Sequence, residues 1–561
     1  MAGQLISSAS KDDQNKECEN KKKKSINLLR GWPATSLLPA AALRAASHTA
    51  LSDQSIWAPG LEYGPDPGYQ PLRKELARWL GRFYGDVAPT SRVREEDGPR
   101  ERSVQEHDGK KERGCVKAQA NRITITGGAS QSLACLLQSF TDPARTLAVW
   151  IVAPCYFLAC PIFADAGLAG RLRAVPEDEE GIDLVVLARE ICALEEKEEQ
   201  QQEKIRVKRG MGQKDEDVHV RPKYKDVGPH RKTYRHVIYC VPTFSNPSGR
   251  TMTLARRQGL VNIARKHDAL VVCDDVYDML QWRVESPAAT SIPQNTNLDK
   301  ALLPRLTDLD IAQDRSPYDP PGKHFGHVVS NGSFSKLVAP GVRTGWTYST
   351  ADFAFGMAQT GSTRSGGAPS QLAATIVCEL LKPATTQVQN TAPPATGDCQ
   401  LTQHIRNNLR PTYARRHGLL MRTIRAELVP LGVHVHEGSL CGRDEIYGGY
   451  FVWMTVPSPS TMTTTKGTAT TAKWPTAKAI ADRCRADENL MIGNGELFTV
   501  HGDEGAVRFD NAIRLCFSWE DEEDLVDGVE RLGRVIRKML GEGPESWETQ
   551  EKEVIDVDEA K

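Results

Sequence analysis

The sequence predicts an α/β fold: a mostly parallel sheet covered by helices, followed by a smaller α+β domain. Two observations carry this expectation. Short apolar runs of strand length alternate with amphipathic segments of helix length over the first four hundred or so residues. After about Gln403 the pattern changes to a long helix followed by short, well-spaced strands.

Taken in order, residues 123–126 (Ile-Thr-Ile-Thr) read as a strand, followed by Gly127-Gly128 and a helix running to Phe140. Residues 148–152 and 237–240 read as buried strands, 254–266 as a helix, and 270–273 as a strand. His327, Val328 and Val329 open another. In the last part, a helix over 405–428 precedes strands at 433–435, 450–456 and 512–517, with a helix near Ala477. Ligands of such sheets bind at the C-terminal ends of the strands.

The chain has 561 residues, enough for two or more domains, with 71 basic against 72 acidic residues and a net charge of −1. That balance gives no support for a nucleic-acid or membrane-surface partner. No run approaches the roughly 18 apolar residues of a membrane span, and the Lys-rich start lacks the apolar core of a signal peptide. The 13 cysteines show no CxxC pairs or metal spacing and read as free thiols in a reducing compartment. A cytoplasmic protein with no metal site is expected.

Mixed charge and low hydrophobicity mark residues 91–119 and 195–232 as insertions, disordered or forming an exposed helix. Pro, Asp and Thr mark 285–323 as an inserted loop, and a Thr/Ser/Pro tract marks 457–473 as another. The expected division is a disordered tail at 1–25, a segment at 26–60 joining the small domain, a large domain at 61–400, a small domain at 401–540 and a disordered acidic tail at 541–561.

Several strand ends carry chemistry. Lys336 sits in Ser-Asn-Gly-Ser-Phe-Ser-Lys-Leu-Val-Ala-Pro-Gly-Val-Arg, residues 330–343. A lysine among small and apolar groups can lose its proton near neutrality and form a Schiff base with an aldehyde. Ser333, Ser335 and Arg343 beside it could grip an anion. Amine plus anion grip suggests pyridoxal 5'-phosphate.

The Gly127-Gly128-Ala129-Ser130 turn opens a helix whose N–H groups suit a phosphate. Asn246, fixed in Asn-Pro-Ser-Gly, can offer an amide to a phenolate or a carboxylate. Asp274, ending a strand, can pair with a protonated pyridine nitrogen, and Tyr277 can donate to the ring oxygen. Asp275 reads as a surface acid at the strand terminus. Tyr156 could stack on a planar ring. Arg514, alone in an apolar strand, suits a carboxylate bound through two parallel hydrogen bonds. Each motif alone also fits an ordinary turn, core aromatic or structural ion pair.

Together and in this order, the motifs resemble those of fold type I pyridoxal-phosphate-dependent aminotransferases of class I/II. They are Tyr63-Gly64-Pro65-Asp66-Pro67-Gly68-Tyr69, the Gly-Gly turn, Asn-Pro-x-Gly, Asp-x-x-Tyr, Ser-x-Ser-Lys and the late arginine. The resemblance spans roughly residues 26–540 and is closest to the 2-aminoadipate and kynurenine aminotransferase branch. It implies a large domain with a mostly parallel seven-stranded sheet, helices on both faces. It implies that Lys336 carries the cofactor and shuttles protons, that Asp274 partners the pyridine nitrogen, and that Tyr277 and Asn246 hold the phenolic oxygen. Tyr156 would stack on the ring. Ala129, Ser130, Ser333, Ser335 and Arg343 would form the phosphate cup. Arg514 would clamp the substrate carboxylate, with Gly31 near the substrate. Tyr63 would reach the phosphate of a neighbouring subunit, which implies a homodimer.

The expected reaction moves the amino group of a 2-aminoadipate-like or aromatic L-amino acid to a 2-oxo acid, with 2-oxoglutarate first in line. A lyase or an aminocyclopropane-carboxylate-synthase-like enzyme on the same scaffold is the alternative, and a non-enzymatic regulator a more distant one. Two departures from the family pattern stand out. Ala129 replaces the usual hydroxyl residue, and the 285–323 insertion stretches the Asp274 to Lys336 interval.

Overall fold

The computed structural model describes residues 23–85, 118–210, 224–284, 297–367, 369–383, 398–437, 446–458, 462–465, 468–471 and 474–542; side chains are described in these except at 208–210, 367, 462–465 and 468–471. Its centre is an eight-stranded sheet. The strands in chain order are β1 (Ile123–Thr126), β2 (Ala148–Ala153), β3 (Leu172–Asp178), β4 (Gly181–Ile182), β5 (His236–Cys240), β6 (Ala269–Asp274), β7 (Val328–Ser333) and β8 (Gly345–Tyr348). They lie in the order β1-β8-β7-β6-β5-β2-β3-β4. From β7 to β3 all pairing is parallel; β8 runs antiparallel to both neighbours, and β4 folds back antiparallel on β3. Seven strands of four or more residues are thus joined by an eighth of only two, which a sequence pattern is too short to reveal.

The strands are buried on both faces, and the two-residue period of a strand sorts their side chains. In β2, Val149 and Ile151 pack with Leu136 and Phe140 of the helix Ala129–Phe140. Ala148, Trp150 and Val152 face the other way, onto Leu260 and Val261 of the helix Leu254–Lys266. That helix begins where its sequence places it: the Thr253 side chain accepts from the Arg256 N–H at 3.2 Å, and Arg265 and Lys266 fall at its negative end.

The small domain holds a four-stranded antiparallel sheet of β9 (His434–His436), β10 (Phe451–Thr455), β11 (Gly493–Asn494) and β12 (Ala512–Cys516), in the order β9-β10-β12-β11. The helices Arg410–Glu427 and Glu522–Glu542 pack together beside it. The long helix expected over 405–428 is present and begins earlier, at Gln400, with one wider helical turn over Ile405–Leu409 before it continues as Arg410–Glu427.

The N-terminal segment ties both parts together. Ile26 and Asn27 pair with Leu490 and Met491, and Leu28 accepts from the Cys516 N–H at 2.7 Å. Beyond Ala34, which donates to the Ser518 carbonyl, the chain leaves the small domain, and its helix Ala40–Ser52 packs on Gln371–Leu381. Residues 26–60 therefore bridge the two parts and do not belong to one.

Of the second charged insertion, the described residues 199–207 form an exposed helix, as expected, while both of its ends are docked. Residues 91–117, most of the first insertion, lie outside the described residues, as do most of the two tails. The second insertion begins within a helix, Leu184–Gly210, where Glu195 accepts from or pairs with His267 at 2.8 Å and Arg235 at 3.3 Å. Its far end docks too, with Lys232 buried against Asp268 at 2.9 Å.

In the 285–323 stretch, residues 297–323 are not a surface loop. Leu306–Ile311 is a helix, and buried Arg305 pairs with Asp308 while its guanidinium lies 3.9 Å from the Tyr84 ring centroid. Charge suggested solvent here, but mutual pairing lets these residues be buried. Within 457–473, Met462–Thr465 and Thr468–Thr471 form a two-stranded ribbon. Among the described residues no helix is long and apolar enough to cross a membrane, and no cluster of three potential metal ligands occurs.

Candidate functional site

The C-terminal ends of β1, β2, β5, β6 and β7 open on one edge of the sheet, where they line a cavity of about 270 Å³. Its wall contains Gly31, Ala129, Ser130, Tyr156, Asn246, Asp274, Tyr277, Ser333, Ser335, Lys336, Arg343 and Arg514. Of the residues singled out in the sequence, only Tyr63 is elsewhere. It is 91 % exposed, beside Gly366.

Lys336 follows β7 and reaches across the cavity, donating from Nζ to the Gly31 carbonyl at 2.7 Å. Burial pulls its ammonium down to about 8, with Asp274 as a partial counterweight. Gly31 is tightly placed, since a Cβ there would lie 2.8 Å from the Phe451 ring. The N-terminal segment thus closes over the lysine only because residue 31 has no side chain.

Asp274 ends β6 and is buried. Tyr239, on neighbouring β5, donates to its Oδ2 at 2.9 Å, while Oδ1 is buried without a partner. Burial pushes the Asp274 carboxyl up to about 6, against the Tyr239 bond and the Lys336 charge. Tyr277 is also buried, packed edge-on against Tyr450 and Phe451, and its hydroxyl is held well above the ordinary phenol range by burial. Tyr156 is half-buried, its hydroxyl pushed up to about 12. Asp275, read from sequence as a surface acid, is buried as well and accepts from Ser330 Oγ. The turn after β6 folds back into the protein, so a strand-terminal acid is not at the surface.

Arg514 lies in β12 with its guanidinium 4.2 Å from the Phe451 ring centroid. It donates to Asn246 Oδ1 at 2.8 Å and to the Leu29 carbonyl. Its Nε is buried without a partner, and its hydrogen bonds go to an amide oxygen and a backbone carbonyl, not to a carboxylate. Burial draws its guanidinium down to about 10. A buried cation without an anion is costly, so the site is built to receive one. The bond to Arg514 uses the Asn246 carbonyl oxygen and leaves its NH₂ as the donor end.

The helix Ala129–Phe140 points its first N–H groups at the cavity; the first intrahelical bond is Ser132 to the Gly128 carbonyl. Arg343 caps this turn by donating to the Gly127 carbonyl at 2.7 Å and the Pro340 carbonyl at 3.0 Å. Gly128 has φ 100°, and a Cβ there would lie 2.6 Å from Arg343 Nη2, so only glycine serves. Ser333 donates to Ser335 Oγ at 2.9 Å on the opposite lip. With Ala129 lacking a hydroxyl, backbone N–H groups, two serines and one arginine remain to hold a dianion.

The model of the family "Aminotransferase class I and II" matches residues 24–532. The chain belongs to this family. An uncharacterized protein of Saccharomyces cerevisiae is 29% identical to this aminotransferase over 524 residues, 92% of this chain and 98% of the other. An aromatic-amino-acid aminotransferase of Thermococcus litoralis is 24% identical, over 92% of this chain and 88% of its own. Among solved structures, the α-aminoadipate aminotransferase LysN of Thermus thermophilus, complexed with N-(5'-phosphopyridoxyl)-L-leucine, shares the fold with a TM-score of 0.57 and 21% identity. That match covers 94% of this chain and 97% of LysN.

The aminotransferase is a pyridoxal-phosphate-dependent enzyme, and its cavity fits that group. A buried carboxylate oxygen lacks a partner, an anion-seeking helix start faces it, and the cavity wall holds a single lysine among the described residues. Among the wall residues that escaped sequence reading are Trp32, Tyr239, Asn331 and Phe451. Tyr239 left a faint signal, a hydroxyl-bearing aromatic inside an otherwise apolar strand. Phe451 left none, since only the crossing of the N-terminal segment brings it to Gly31.

Proposed function

We propose that this aminotransferase moves the amino group of an L-amino acid with an aromatic or long apolar side chain to a 2-oxo acid. The observation that carries this reading is the composition of the cavity wall. Its cations among the described residues are Lys336, Arg343 and Arg514. The amine, the phosphate and the substrate α-carboxylate account for all three. The rest of the wall includes Trp32, Leu133, Leu158, Ile162, Val276 and Phe451, and offers no further cation to a distal carboxylate.

Pyridoxal 5'-phosphate, when bound, supplies an aldehyde for amines and a ring that accepts the electrons left at the donor α-carbon. The chain does the rest. Asp274 Oδ1 would hold a proton at the ring nitrogen, Tyr277 and the Asn246 NH₂ would hold the ring oxygen, and Tyr156 would cover the ring. The Ala129 and Ser130 N–H groups, Ser333, Ser335 and Arg343 grip the phosphate. Arg514 would orient the donor by its α-carboxylate, and the Lys336 amine would take the proton from the α-carbon and return it. Tyr63, exposed in its own chain, suits the phosphate of a second copy in a homodimer.

A donor screen tests the substrate class. With 2-oxoglutarate present and glutamate measured, phenylalanine, tyrosine, tryptophan, kynurenine and leucine should exceed 2-aminoadipate in kcat/KM. Because 2-oxoglutarate itself carries a second carboxylate, monocarboxylate oxo acids should match or surpass it as acceptors. Preference for 2-aminoadipate would overturn the reading, and pyruvate plus ammonia from a β-substituted amino acid without any acceptor would point to a lyase.

Arg514→Ala should leave cofactor binding near normal while kcat/KM falls at least about 30-fold for every donor. That is the ~2 kcal/mol lower end for losing one partner of a buried charge pair. Unchanged kinetics across the donor panel would make Arg514 a structural cation.

A further inference from the structure

Building on the function proposed above, we propose that Tyr239 is a positioning residue. Its hydroxyl fixes the Asp274 carboxylate with Oδ2 turned into the protein and Oδ1 toward the cofactor's ring nitrogen, and so keeps the proton on that nitrogen.

The geometry begins in the sheet. β5 and β6 pair in parallel, with Tyr239 opposite Val272. Val272 and Asp274 are two residues apart and project to the same face, as Tyr239 does. The tyrosine therefore stands one step behind the aspartate on the next strand, and the length of its ring brings the hydroxyl to Oδ2 at 2.9 Å. The ring is itself held. It is buried, and it meets Phe163 edge-on at 5.8 Å between centroids. Both partners are lined up before any ligand arrives.

A phenol has one proton to donate. Burial keeps the Tyr239 hydroxyl protonated well beyond the physiological range, so it acts as a fixed donor. The acceptor oxygen must be unprotonated, which leaves Oδ1, buried and without a partner, as the atom that shares a proton with the ring nitrogen. Two arrangements of that one proton compete: carboxylic acid beside neutral pyridine, or carboxylate beside pyridinium. A hydrogen bond donated to the carboxylate favours the second. Burial of Asp274 favours the first, and the Tyr239 bond is the largest effect opposing it, ahead of Lys336; Asp278 acts with burial. No bond is made or broken in this assignment; one proton changes its host.

Tyr239→Phe deletes the donor and keeps the ring and its contact with Phe163, so the variant should still melt cooperatively, lowered by no more than the loss of one buried hydrogen bond. In holoenzyme loaded with pyridoxal phosphate labelled with ¹⁵N in the ring, the nitrogen resonance of the variant should move toward the neutral-pyridine position. The single-turnover half-reaction with a good donor should slow roughly ten- to hundred-fold, the range for a hydrogen bond to a buried charged group. A double-mutant cycle supplies the second measurement. In the Asp274→Asn background, Tyr239→Phe should add little, because its effect passes through the carboxylate. A wild-type nitrogen resonance in Tyr239→Phe, or losses that multiply in the double variant, would overturn the proposal. The outcome is separable from failure of the functional reading. If the wild type shows a protonated nitrogen that Asp274→Asn abolishes and Tyr239→Phe preserves, the site stands and only the role of Tyr239 falls.

Discussion

Lys336→Ala is expected to abolish covalent retention of pyridoxal phosphate after borohydride treatment and to cut turnover by roughly 10⁴-fold or more, since it removes both the attachment amine and the general base. The cavity wall offers no substitute, because Lys336 is its one lysine among the described residues. The amine is prepared by burial, which brings it to about 8 from an ordinary 10.5. About a tenth of it is then neutral at pH 7, against far below one per cent for an exposed lysine. The free amine is the nucleophile, so covalent uptake of the cofactor by the apoenzyme should speed up as pH rises, with a midpoint near 8. A pH-independent uptake, or a borohydride-fixed cofactor mass in Lys336→Ala, would show that another amine is used. If Tyr63 serves a neighbouring subunit, mixing inactive Tyr63→Ala and Lys336→Ala chains should restore part of the activity, whereas a monomer of full activity would end the shared-site reading.

Asp274→Asn should retain the cofactor on Lys336 and lose the half-reaction by roughly 100-fold or more, the scale of removing one charge from a buried pair. Asparagine can still hydrogen-bond a ring nitrogen but carries no charge to hold a proton there. The carboxyl is buried, has one oxygen committed to Tyr239 and the other without a partner, and is pushed by burial to about 6. A pyridinium against Oδ1 would supply the missing partner and hold the group in its charged form. The damage should therefore fall on removal of the α-proton and leave binding intact. The measurement is a single-turnover conversion with an α-deuterated donor. A wild-type rate in Asp274→Asn would remove Asp274 from the mechanism and turn attention to buried Asp275.

Much of the cavity was legible because its chemistry sits on local motifs at strand ends. Asn246, Asp274, Tyr277 and Lys336 each follow an apolar strand of a parallel sheet, and parallel strands with helical crossovers bring those ends to one edge. Reading the strands was enough to gather the residues. The insertions were less legible. Residues 297–323 carry enough charge to suggest solvent, yet Arg305 is buried by pairing with Asp308 and by stacking on Tyr84 and Tyr348. Composition reports which charges a segment has and not whether they neutralise one another.

The amino-acid sequence by itself determined the alternation of strand and helix, the turns that need glycine at 128 and proline after Asn246, and the identity of the groups that can hold an aldehyde, a pyridinium and a phosphate. Those properties are local, set by backbone freedom and side-chain chemistry. Only the tertiary structure decided that Arg514, from the small domain, lies beside Asn246 of the large one with no carboxylate of its own, that Gly31 bends over Lys336, and that the Tyr239 hydroxyl meets Asp274. These contacts join residues far apart in the chain. Their energies depend on burial and on which partners are absent, quantities that exist only once the chain has closed around the cavity.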